Sequence, residues 1–196
     1  MKAKRIIEQE HRSLAAVLHG MLHVVREIRY GGAAPNFELL DAMVHYVETF
    51  SKQFHHPKEE AYLFKLLRTR CPSAAPLLDR LAEEHQRGTV KLRDLRRVLQ
   101  RYQENGTAAL PEFAAGVAEF AAFHWDHMRL EEDKALPLAI AHLTSDDWEA
   151  TDAAFLGRAD PLLGAERGAE YQQLFQRIVD LAPRPIGRAP APGGNT

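Results

Sequence analysis

Apolar residues return at alternating intervals of three and four along the first segment of the chain. Ile7, Leu14, Leu18, Met21, Val25 and Ile28 lie on one stripe of a helix from Lys4 to Arg29, and His11 fills its single open place. Gly31-Gly32 ends that helix and Asn36 caps the next, which runs to about Arg68 with Leu40, Val44, Val47, Ser51, His55, Glu59, Tyr62 and Leu66 on its inner face. Pro57, which has no N–H to donate, should kink or loosen it. After a turn at Cys71-Pro72-Ser73, a third stripe reads Leu78, Leu81, His85, Gly88, Leu92, Leu95, Leu99 and Tyr102. Glu104-Asn105-Gly106-Thr107 breaks it. Pro111 suits the first turn of a fourth helix, whose stripe is Phe113, Val117, Phe120, His124, His127 and Glu131 before Pro137. Short joints between four long helices predict an all-α, up-down-up-down four-helix bundle over 1–143.

Two weaker segments follow. Ser145-Asp146-Asp147-Trp148 reads as the capped start of a short helix that Asp160-Pro161 stops, and Ala165 to Leu181 can form another with Tyr171, Leu174, Phe175 and Ile178 on one side. This predicts a C-terminal helical extension over 144–182, with its aromatic residues as packing groups. The Pro/Gly-rich stretch 183–196 is too poor in apolar residues to pack and is expected to be a flexible tail.

Composition narrows the chemistry. The net charge is -2 with 25 basic and 27 acidic residues well mixed, so no basic stripe points to a nucleic-acid partner. One cysteine, Cys71, excludes an internal disulfide and a thiolate metal cluster. No apolar run is long enough for a membrane span or a signal core, and a cytoplasmic protein is expected. The odd feature is ten histidines.

Four of those histidines fall at one height. His11 and His55 both lie about 19 residues from the first interhelical turn, roughly 28 Å along their helices, and the same counting levels His85 and His127 with them. Glu59 and Glu131 follow His55 and His127 by four residues, one helical turn on the same face. The halves also repeat, Glu10-His11 matching Glu84-His85 at an offset of 74 and His55…Glu59 matching His127…Glu131 at 72. A buried carboxylate costs several kcal/mol unless it is compensated. Two divalent or trivalent cations would compensate, with iron or manganese suited to such nitrogen and oxygen donors; a metal-free His–Glu hydrogen-bond network is the other arrangement.

The order His, His-x-x-x-Glu, His, His-x-x-x-Glu over residues 11 to 131 resembles the bacterial hemerythrin-like (HHE cation-binding) proteins. The resemblance implies two iron ions with His11, His55, His85 and His127 as terminal ligands, Glu59 and Glu131 as bridges, and an oxo or hydroxo group between the irons. It implies a small ligand as partner: dioxygen, nitric oxide or peroxide, bound for sensing, storage or detoxification. A peroxide-consuming enzyme, an iron-level sensor and an iron donor for repair of iron centres are the alternatives. Two positions depart from the classical oxygen carriers: Thr89 stands where they have a second histidine in the third helix, and Glu131 where they have an aspartate five residues after the histidine.

Neighbouring positions receive simpler readings. His56, Glu60 and Glu132 should point about 100° away from the ligands, toward the surface or into a supporting role. Glu10 and Glu84 read as solvated faces. His124 is a candidate fifth imidazole or a packing residue, and Gly88 is expected to leave room for a diatomic ligand beside one iron. His19, His23, His45 and His142 read as ordinary surface or packing residues.

Overall fold

The computed structural model describes residues 1–157 and 164–182, with the side chains of 164–172 excepted. The Asp160-Pro161 break, the packing of Tyr171 and the tail from Pro183 lie outside what is described. Helix α1 spans Lys2–Tyr30. Helix α2 (37–70) starts as Phe37–Thr49 under an Asn36 cap, whose side chain accepts from the Leu39 N–H, and ends as Lys65–Arg70. Helix α3 is Ala75–Asn105, and α4 (110–142) begins as Leu110–Leu130 and finishes as Leu136–His142. The four pack side by side in chain order, with α4 returning to α1, as an up-down-up-down bundle. Two shorter helices follow, α5 (Ser145–Phe155) and α6 (Gly164–Leu181).

The predicted stripes of α1, α3 and α4 are buried nearly throughout, whereas α2 slips phase beyond Glu59. Leu63 and Leu67 are buried there in place of Tyr62 and Leu66. The slip comes from π-helical turns, which hold more residues than an α-turn: Phe50–His55 before Pro57 and Glu59–Phe64 after it. Pro57 therefore widens the helix instead of breaking it. A third π stretch, Glu131–Ala135, lets α4 run on through Pro137, where the sequence places a stop.

Burial divides into two apolar clusters with the histidine layer between them. One holds Leu14 to Val25 with Leu39 to Phe50, Leu92 to Tyr102 and Leu110 to Phe120; the other holds Ala3, Ile7, Leu63, Leu67, Leu78, Leu81, Ala139 and Trp148. The polar layer is thus closed above and below by hydrocarbon.

The extension leans on the bundle. Thr144 and Asp147, not Ser145, form the capping box of α5, and Arg70 of α2 donates to the Asp147 carboxylate at 2.7 and 3.1 Å. Tyr46 of α2 meets Phe175 of α6 at a ring separation of 5.7 Å. Helix α1 has no side-chain cap of its own, and Asp152 of α5 supplies one by accepting from the Ala3 N–H at 2.6 Å. Burial pushes that carboxyl up, but the Ala3 and Lys2 N–H groups and the chain's amino terminus hold it below 3.8. A depressed carboxyl stabilises the fold fully above its unfolded pKa and stops doing so as the pH falls through the folded value. Asp152→Ala should therefore lower the neutral-pH unfolding midpoint by a few degrees, the worth of a lost cap at about 1 kcal/mol. In thermal melts the deficit should shrink on acidification through pH 4 toward pH 2.

Candidate metal centre

Each of the four long helices brings its inward histidine to the same level, as the turn-counting requires. His11, His55, His85 and His127 are 1 to 4% exposed, and Glu59 and Glu131 are equally buried between them. His11 Nε2 stands 2.9 Å from His55 Nε2, and the rings of His85 and His127 are 4.9 Å apart. The glutamates span the two pairs. Glu59 Oε1 lies 3.1 Å from His55 Nε2 and its Oε2 3.6 Å from His85 Nε2. Glu131 Oε2 lies 3.2 Å from His11 Nε2, and its Oε1 3.3 and 3.6 Å from Nε2 of His127 and His85.

Behind each imidazole stands a second carboxylate from the preceding helix of the ring. Glu10 of α1 accepts from His55 Nδ1 (2.8 Å), Glu60 of α2 from His85 Nδ1 (2.7 Å), Glu84 of α3 from His127 Nδ1 (3.0 Å) and Glu132 of α4 from His11 Nδ1 (2.8 Å). The four contacts close a circle around the bundle. Glu10 and Glu84, read from sequence as solvated faces, are thus orienting groups instead, and Glu84 is further held by Arg80 at 2.8 Å. Their signal was present in the sequence: each sits beside an inward histidine at the same place in both halves, facing the adjacent helix.

This circle fixes the chemistry of the layer. With Nδ1–H donated outward, a neutral ring presents Nε2 as a lone pair. The Nε2 atoms of His11 and His55 then face each other at 2.9 Å, a separation that requires a proton or a cation between them. At metal–nitrogen lengths of about 2.1 Å, two imidazoles at right angles set their nitrogens about 3 Å apart. Both oxygens of Glu59 and of Glu131, with Nε2 of His85 and His127, are buried without a hydrogen bond despite their close neighbours. Short separations in the wrong directions mean that these atoms aim at shared space and not at one another. The donor set fits a pair of cations.

The carboxylates of the layer also hold protons on its imidazoles. Burial opposes charge on His55, but Glu59 and Glu10 outweigh it and raise the imidazole to about 10. The same balance, with Glu131 prevailing, raises His127 to about 9 and lifts His11. Burial pushes Glu131 up, yet His127, His11 and His85 hold its carboxyl well below the usual range. A cation entering the layer takes the place of these protons and releases them.

His56 is not turned to the surface: it is half-buried and stacked on His85, with ring centroids 3.7 Å apart and planes 10° from parallel. The π turn ending at His55 brings both neighbours inward, an effect that α-helical spacing cannot show. Ligand-type atoms gather in two groups, His11, His55, Glu59 and Glu131 in one and His56, His85 and His127 in the other, each within 4.8 Å. His124 belongs to neither. Its Nδ1 donates to the Phe120 carbonyl at 3.0 Å, and burial lowers its imidazole to about 4. A Cβ on Gly88 would meet Phe123 at 3.4 Å and His124 at 3.8 Å, so the room expected there is bounded by those rings. Thr89 is exposed and bonds back to the His85 carbonyl. His19, His45 and His142 are exposed and His23 is half-buried. A cavity of about 570 Å³ lies elsewhere, lined by Met1, Ile140, Trp148 and Asp152 among others, and none of the clustered histidines lines it. No helix among the described residues is long and apolar enough to cross a membrane.

A family model described as "Hemerythrin HHE cation binding domain" matches residues 3–139. No curated protein and no solved structure matches the chain.

Proposed function

The chain belongs to the hemerythrin HHE cation binding domain family, and on that premise we propose that it is a non-haem di-iron protein binding a small ligand, dioxygen, nitric oxide or peroxide. The observation that carries this is the unmatched polar layer: six buried donor atoms on Glu59, Glu131, His85 and His127 converge without hydrogen bonds between them. His11 and His55 would hold one ion, His85 and His127 the other, and Glu59 and Glu131 would span both. Iron supplies Lewis acidity and electrons when bound.

The protein's own part is orientation and exclusion. Glu10, Glu60, Glu84 and Glu132 hold each imidazole by its Nδ1 proton, which keeps Nε2 free to bind and raises its basicity. The two apolar clusters keep bulk water away from the layer and strengthen electrostatic attraction within it. Such a site suits sensing, storage or removal of a small uncharged ligand.

Anaerobic loading with iron(II), metal analysis and optical spectra before and after adding oxygen test the reading. Two irons per chain and a new visible absorption that reverses on removing oxygen are expected for a binding protein; sustained peroxide consumption would move the assignment to an enzyme. Fewer than two bound metals per chain would end the dinuclear reading.

A further inference from the structure

We infer that His56 is a metal ligand, the third imidazole of a His56–His85–His127 group, and that it makes the two cation positions unequal. The inference rests on the dinuclear reading above and extends it to a residue outside the repeated motif. Its ring nitrogen lies with those of His85 and His127 inside one 4.8 Å cluster, and its ring stands 5.8 Å, centroid to centroid, from His127; the parallel stack on His85 must open by a turn of the His56 side chain for both nitrogens to meet one ion. The backbone explains its presence. His55 sits at φ -96°, ψ -72° where the π stretch meets Pro57, and this distortion swings residue 56 inward while His55 keeps its place against His11. π turns of this kind commonly mark functional positions.

The third helix cannot supply that imidazole. Thr89, a turn beyond His85, faces solvent, and Gly88, which does face inward, has no side chain. His56 reaches the His85–His127 pair from the helix next door. Counting one oxygen of each spanning glutamate for each cation, the His56 side has five protein donors and the His11–His55 side four. The exchangeable position therefore falls on the cation held by His11 and His55.

Two substitutions separate ligation from stacking. His56→Phe keeps a flat ring against His85 but offers no nitrogen, and His56→Ala removes both. Cobalt(II) or iron(II) is titrated anaerobically into the full chain, with metal per chain, affinity and the exchangeable, hyperfine-shifted imidazole N–H resonances in the proton NMR spectrum as readouts. The wild type is expected to hold two cations and show five such resonances. Each variant should show four and bind its second cation at least about ten-fold more weakly, with helical circular dichroism unchanged. Two cations with only four resonances in the wild type overturn the inference without any variant, as does a His56→Phe protein that keeps wild-type affinity and the full set. Fewer than two cations in the wild type sinks the dinuclear reading and this one together.

Discussion

Loading the apoprotein with iron should raise its thermal unfolding midpoint by about 10–20 °C, the largest effect expected of any single manipulation. Each cation held at one hundred times its dissociation constant stabilises the native state by about 2.7 kcal/mol, and a chain of this size gains about 2–4 °C per kcal/mol. The structural reason is the layer itself. Glu59 and Glu131 keep all four oxygens buried and outside any hydrogen bond, and bound cations would remove that cost. Differential scanning calorimetry of apo and loaded protein, with a chelator control, checks the shift. A midpoint that does not move would mean that the layer is satisfied by its own protons. Weak and readily exchanged iron, whose loss at physiological iron levels unfolds the chain, would favour an iron-level sensor over a ligand carrier.

Glu131→Gln should abolish stoichiometric binding of the second cation, whereas Glu84→Gln should weaken binding without changing the number bound. Glu131 reaches the nitrogens of three histidines on three helices at 3.2 to 3.6 Å, and an amide keeps one oxygen but loses the charge and the second acceptor. A loss of more than about 100-fold in affinity is expected, above the range typical of outer-shell partners. Among the clustered groups Glu84 meets His127 alone, on its far side, so about 10–100-fold is expected there. Chelator competition titrations read both values. Equal losses in the two variants would show that Glu131 is no bridge.

The sequence carried the bundle because its helices are amphipathic over many turns and their joints are short. Levelling His11, His55, His85 and His127 needed nothing more than helix rise, and the structure brings these four together with Glu59 and Glu131. What it did not carry depends on departures from that rise. The π turns around Pro57 put His56 inside and shift Leu63 and Leu67 inward, and periodic reading has no term for an extra residue in one turn. Two of the outer carboxylates were missed for another reason. Glu10 and Glu84 do not face the bundle axis; they reach sideways to the next helix, at a contact set by interhelical packing.

The circle of outer contacts has a symmetry that bears on how this chain is built. Glu10–His55 and Glu84–His127 join helices within each repeated hairpin, while Glu60–His85 and Glu132–His11 join one hairpin to the other. Neither hairpin alone completes its own ligands, but two copies of one would complete each other, so the chain has the bonding pattern of a two-fold dimer tied into a single polypeptide. His56 has Met128 as its counterpart in the second half. At that position the tied dimer ceases to be symmetric, and its halves have ceased to be interchangeable.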